Sequence, residues 1–150
     1  MGYHHDLIEH AIDLWQLNVP DKPRQADLRR AVSAAYYSLF HLLTTEAALN
    51  WRHERQRHDF ARMFDHGRMR SASESRKTLE EPIGVVAKSF LKLQEARHKA
   101  DYDNSKVWSR TEVWEMIAVA QDAMAFWSDI REKEIAQDYL LDLFVLKRKI

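Results

Sequence analysis

The chain has no cysteine, only three glycines and three prolines, and no surplus of charge of either sign. Each shortage removes a class of protein. Without cysteine there is no disulfide framework, no thiolate zinc site and no cysteine nucleophile, a composition compatible with a reducing cytosol. Three glycines are too few for phosphate-cradling loops, and no Walker A loop, dinucleotide glycine pattern or G-x-S-x-G occurs. Lys plus Arg and Asp plus Glu both number 23, so bulk charge gives the chain no means of coating nucleic acid or an anionic membrane. Any nucleic-acid contact must be local. No apolar run approaches the roughly 18 residues of a membrane helix. The opening MGYHHDLIEH carries acidic residues and no apolar signal region, which predicts a cytoplasmic protein with no membrane partner and with His4 and His5 as native residues.

What the chain does have is helical periodicity. Its 150 residues suit one domain, 1–150, large enough to bury a core without staples. Apolar residues recur every three or four positions almost throughout, and no segment reads as a strand. The first helix is expected from about His4 to Leu17, with Leu7, Ile8, Ala11, Leu14 and Trp15 on one side, ending before the linker NVPDKP. The second starts near Asp21 or Pro23 and runs to about Asn50. At about 100° per residue, Leu28, Val32, Ala35, Leu39 and Leu43 form its apolar back, while Arg30, Ser33, Tyr37, His41 and Thr44 gather on the opposite, polar side. Residues 51–77 are the most polar stretch and are expected to hold a short helix ending near Gly67, followed by SASES as a mobile loop.

A fourth helix begins around Glu81-Pro82, with proline in its first turn and with Val86, Phe90, Leu93 and Arg97 along one stripe, and ends in ADYDNSK. Ser109 and Glu112 form a capping box that opens a fifth helix, with Val113, Ile117, Ala120, Met124 and Trp127 inward. The tail EIAQDYLLDLFVLKRKI keeps an apolar stripe of Tyr139, Leu140, Leu143 and Phe144, too short to form a core alone, for which a second subunit is one possible seat. There is no internal repeat and no low-complexity run. The fold class that follows is all-α, an antiparallel up-and-down bundle of four to five main helices plus a short C-terminal helix.

Metal chemistry finds little footing. Glu95 and His98 form one E-x-x-H, but a di-iron bundle needs that pair twice with two further glutamates, so the pair reads as a solvated charged turn. His53 and His58 are five apart and point away from each other on a helix, and no H-E-x-x-H occurs. The adjacent carboxylates Glu80 and Glu81 face different ways and suit a helix N-terminus rather than acid–base work. No metal or cofactor is expected.

Two stretches remain, RRAVSAAYYSLFHLL at 29–43 and EARHKADYD at 95–103, with FDHGRMR at 64–70 between them. LRRAVSAAYYSLFHLL resembles the second-helix signature of the HEPN superfamily, with its arginine, small residues, tyrosine pair and F-H step. EARHKADYD is similar to the RxxADY variant that ends a later helix in one branch of that superfamily, and FDHGRMR resembles the segment between. The three occur in the family's order over about 24–104. The resemblance implies a helical bundle that pairs as a homodimer, with the polar faces of two helices forming a cleft near the dimer axis. Many HEPN proteins are metal-independent endoribonucleases of toxin, defence or RNA-processing systems, in which an arginine clamps the scissile phosphate and a histidine four to six residues further on assists proton transfer.

The chain departs from that motif where the histidine should stand. Arg97 and a following polar residue, His98, are present, but Tyr102, Asp103 and Asn104 occupy the histidine's place. A literal match at Arg52 and His58 is the kind that chance supplies in a chain this rich in both residues, and it lies outside the expected helix. An unperturbed tyrosine pKa near 10 makes the residue type at Tyr102 a poor base at neutral pH. Asp101 is placed for an i,i+4 ion pair with Arg97, so a structural role, Arg97 neutralised by Asp101 and packed near Tyr37, competes with a functional one. His41 carries the same ambiguity between packing and chemistry.

Three readings follow. In the first, a homodimer binds RNA or a nucleotide-bearing partner through a cleft lined by Arg30, Tyr37, His41, Arg97, Asp101 and Tyr102, within a toxin–antitoxin or defence system. In the second, the same cleft cleaves RNA, with Arg97 on phosphate and His41, His98 or Tyr102 as candidates for proton handling. In the third, the protein is a non-catalytic module partnering a nucleotidyltransferase-type antitoxin, seated on the Tyr139–Phe144 stripe or in the dimer cleft.

Overall fold

A computed structural model describes residues 2–78 and 82–144. Among them are seven helices and no strand: α1 (Tyr3–Gln16), α2 (Gln25–Leu49), α3 (Glu54–Ala61), α4 (His66–Arg76), α5 (Pro82–Tyr102), α6 (Arg110–Ile130) and α7 (Glu134–Phe144). The all-α bundle is the one the periodicity predicts.

Helices α1, α2, α5 and α6 form the up-and-down bundle. Each packs on the next, α6 closes back on α1, and α2 and α6 meet across the centre. Side-chain contacts fix the directions. Arg29 near the start of α2 reaches Ala100 near the end of α5, and Trp15 at the end of α1 bonds Arg110 at the start of α6, so both pairs are antiparallel. The diagonal pair runs parallel, Gln25 meeting Trp108 at one end and Glu46 meeting Trp127 at the other. The α2 back of Leu28, Val32, Ala35, Leu39 and Leu43 is fully buried, as are Val86, Phe90 and Leu93 of α5 and Val113, Ile117 and Ala120 of α6. Met124 stays partly exposed beside them. Pro82 opens α5, where its missing N–H costs nothing. The Ser109–Glu112 capping box is formed reciprocally at the start of α6.

Four expectations are corrected. Gly67 does not stop a helix: it lies in the first turn of α4, behind the Asp65 N-cap, whose carboxylate accepts from the Arg68 N–H at 3.0 Å. A glycine C-cap needs positive φ, and no described glycine has it. SASES is not a loop but the C-terminal half of α4, with Ala72 and Ser73 buried. The Tyr139–Phe144 stripe docks on this same chain: Tyr139, Leu140 and Leu143 are buried, α7 packs on α4, and Phe144 joins Phe60 and Phe64 at ring separations of 4.7 and 5.5 Å. Thr44, expected on the polar stripe of α2, is 2% exposed. The Glu80–Glu81 pair and residues 145–150 lie outside the described residues.

Candidate functional site

Arg97 continues the apolar stripe of α5 by one helical turn beyond Leu93, so its stem leaves the core and its head emerges where α5 passes the middle of α2. The guanidinium carbon stands 5.3 Å from the Tyr36 ring centroid and 5.7 Å from that of Tyr37, within cation–π range of both. Nη1 lies 3.4 Å from Asp101 Oδ2. The side chain is only 14% exposed, and its Nε is buried with no hydrogen-bond partner. Burial works against the charge, but the two tyrosines and Asp101 more than offset it. An arginine this enclosed, yet with one donor edge unused, holds its fork in a fixed orientation.

Beside it, α4 contributes a residue that the sequence reading did not single out. His66 Nδ1 is 2.5 Å from the Tyr36 hydroxyl, and the imidazole stacks on Phe40 at 4.6 Å. The buried Gln94 amide ties the two helices together, donating to the His66 carbonyl at 3.0 Å and accepting from Arg70 at 3.2 Å. Burial and the neighbouring Arg97 charge hold His66 below the usual histidine value. Burial does the same to His41, with His66 adding to it.

A groove of about 610 Å³ opens over these residues, lined by His66 and Arg70 of α4 and by Gln94, Glu95, Arg97, His98 and Lys99 of α5. Three permanent cations, Arg70, Arg97 and Lys99, face one carboxylate, Glu95, in a chain of zero net charge. Arg70 is already engaged by Glu95 at 3.3 Å and by Glu74 at 3.9 Å, and Arg97 by Asp101. Lys99 makes no ion pair among the described residues. The surface is thus locally basic and rich in N–H donors, a composition suited to phosphate.

The expected site residues divide into three groups. Arg97, Asp101 and Tyr37 come together. His41 does not touch Arg97 or Asp101 directly: its ring centre lies 6.0 Å from that of Tyr37, 5.3 Å from that of Phe40 and 4.9 Å from that of Tyr3. His98 lines the groove and its ring lies 5.0 Å from that of Tyr102, which is 66% exposed. Arg30 stands apart, exposed two turns before Tyr37 on α2. It is Arg29 that reaches across, donating to the Ala100 carbonyl at 2.8 Å and the Lys106 carbonyl at 2.5 Å. Arg52 and His58 are both exposed, one just ahead of α3 and the other within it, and neither lines the groove. Comparison with protein-family models, curated proteins and solved structures returns no match. Function must therefore be argued from the groove.

His66, Tyr36 and Gln94 were the residues sequence reasoning missed. Tyr36 lies four residues after Val32 and four before Phe40, so its burial was readable from the apolar back of α2. His66 was hidden by taking Gly67 as a stop, although Asp65 followed by Met69, Ala72 and Ser73 is an N-cap ahead of a helical stripe. Among the described residues no group of three or more His, Asp or Glu is arranged to hold a metal ion, and no helix is long and apolar enough to cross a membrane.

Proposed function

We propose that this chain is a HEPN-like helical protein that pairs as a homodimer and binds RNA, or a nucleotide-bearing partner, through the α4–α5 groove, in a toxin–antitoxin or defence setting. The observation that carries the reading is the state of Arg97: two aromatic rings and Asp101 hold its guanidinium, and the groove that it lines has a cationic excess. A purely structural Arg97–Asp101 pair accounts for the i,i+4 contact but not for the basic groove beside it. The order of the three resembling segments adds to this, since all three contribute to one locality: α2 supplies the tyrosines, α4 His66 and Arg70, and α5 Arg97.

The test is binding of labelled single-stranded RNA and of nucleotides to the wild-type chain and to Arg97→Ala, over a salt series. Wild-type binding that weakens about tenfold or more in the variant, with a shallower salt dependence, is the expected result. Absence of any RNA or nucleotide affinity in the wild type sinks the reading, and a monomer by light scattering removes its pairing element.

A specific observation favours the endoribonuclease reading as a second: His66 and His98 share the groove with Arg97, so imidazole is present although the expected motif position lacks it. Cleavage of labelled RNA in chelator, lost in Arg97→Ala, would support it. The partnership with a nucleotidyltransferase-type antitoxin loses the α7 stripe as its seat, because that stripe is internal, and would have to use the dimer cleft.

A further inference from the structure

We infer that the α4–α5 groove grips a phosphate group with the Nε2–H of His66 beside the guanidinium of Arg97, and that Tyr36 is the positioning residue that decides which imidazole nitrogen carries the proton. This deepens the phosphate-ligand reading above and rests on it, and it gives His66 and Tyr36 specific roles that reading does not assign.

The argument begins with a proton that has few places to go. Tyr36 is fully buried, and burial raises its phenol far above the ordinary tyrosine value, so the hydroxyl keeps its proton at any physiological pH. Among the described residues that hydroxyl lies 2.5 Å from His66 Nδ1, while the Gln94 amide and the Arg97 guanidinium, which also reach it, lower its pKa as donors and so leave the imidazole nitrogen as its acceptor. If the phenol donates there, Nδ1 is the bare nitrogen and the proton of an uncharged imidazole sits on Nε2. Nε2 has no partner among the described residues, yet it is not among the buried atoms left unbonded, and His66 lines the groove. Nε2–H is therefore a donor open to a ligand.

The ring has little freedom to do otherwise. Phe40 stacks on it, the Tyr37 ring stands edge-on at 5.9 Å, and Gln94 holds the His66 backbone carbonyl. The charged and titratable groups around it are Tyr36, Tyr37 and His41 from α2, Asp65 and Arg70 from α4, and Arg97 from α5. Arg97 and burial oppose a second proton on the ring, and Asp65 only partly offsets them. An incoming phosphate would reverse that balance, because its negative charge satisfies Arg97 and favours imidazolium.

Non-bridging oxygens are common to a free phosphate, a nucleotide monoester and an RNA diester, so the experiment uses inorganic phosphate, a nucleoside 5′-monophosphate and a short single-stranded RNA in separate arms. Long-range nitrogen–proton NMR spectra of the histidine rings of the full chain report the tautomer directly. The expected result is an Nε2–H tautomer for free His66, a rise in its pKa on adding at least one of the three probes, and about tenfold weaker affinity for that probe in His66→Ala and Tyr36→Phe. Tyr36→Phe should also give a mixed tautomer. Because the wild-type tautomer is read without any variant, a Tyr36→Phe that fails to fold leaves the test intact. An Nδ1–H tautomer overturns the inference, as does binding with the His66 ring unperturbed, or no binding by any probe. RNA binding with an unperturbed ring defeats this inference and leaves the RNA reading standing. A phosphate or mononucleotide response without RNA affinity does the opposite.

Discussion

Ser73 and Tyr139 illustrate how single polar atoms are accommodated in this core. Both are fully buried, 66 positions apart, and their hydroxyls are 2.7 Å from each other. Burial keeps the Tyr139 phenol protonated well above its usual range, against the opposing pull of Ser73 and Arg76. A buried hydroxyl left alone costs about 1–3 kcal/mol, whereas removing both partners costs less than the sum of the single losses. Tyr139→Phe should therefore destabilise the chain by about 1–2 kcal/mol, less than Ser73→Ala, which strands the phenol and cannot offer it another acceptor. In the Phe–Ala double variant the two effects should fall short of adding. Urea unfolding of the four proteins measures this; strict additivity would mean the hydroxyls do not interact. The serine can recover part of its loss by bonding a carbonyl one turn back, as Ser75 does to Ser71 at 3.1 Å.

At the scale of elements, arginines from elsewhere in the chain close the C-terminal ends of helices. The last carbonyls of a helix lack internal partners and carry the negative end of its dipole, so a guanidinium suits them in both respects. Arg110 bonds the carbonyls of Trp15 and Leu17 at the end of α1, Arg57 those of Leu49 and Trp51 after α2, and Arg29 that of Ala100 in α5. Arg29 matters most for the site, because the turn it holds contains Arg97 and Asp101. Arg29→Ala should cost about 1–2 kcal/mol and raise amide hydrogen exchange from Lys99 to Lys106 above that of the rest of α5. Uniform exchange along α5 in the variant would refute the capping role. These contacts also mark what the sequence could and could not disclose. The Ser109–Glu112 box, the Pro82 start and the apolar back of α2 depend on neighbours within a turn or two, and were legible. Helix α4 was not, because its small polar residues suit a loop locally and become helical core through α5 and through α7, the latter more than 60 positions away. Arg97 beside Tyr37 was readable from the stripes of α5 and α2, whereas His66 required knowing that α4 starts at residue 66.

For the molecule as a whole, these polar contacts translate into a dependence of stability on pH with two windows. His41 lies on α2, His66 packs against its Tyr36 and Phe40, and His4 lies near Glu46 toward its C-terminal end; all three are held below 6.5, with burial the largest cause in each. A depressed histidine takes up its proton more readily in the unfolded chain. Its contribution to stability is complete above 6.5 and declines as the pH falls through that value toward the folded pKa. Glu46 acts lower down. Burial tends to raise its pKa, but Arg131 at 2.6 and 2.8 Å and the Trp127 indole at 2.8 Å outweigh burial and hold it below 4.5. Its contribution is therefore present above 4.5 and lost on further acidification. The stability curve from denaturant unfolding should be flat from pH 8 to about 6.5, slope downward as the pH falls below that, and fall further below 4.5. Replacing His41 and His66 together by glutamine should make the first slope shallower, with His4 keeping its share, while leaving the second, and Glu46→Gln should reduce the second while leaving the first, at a cost of about 1–3 kcal/mol at neutral pH. A first slope unchanged in the double glutamine variant would show that the imidazoles beside Arg97 do not differ in proton affinity between folded and unfolded chains, and the enclosed character of the site would go with it.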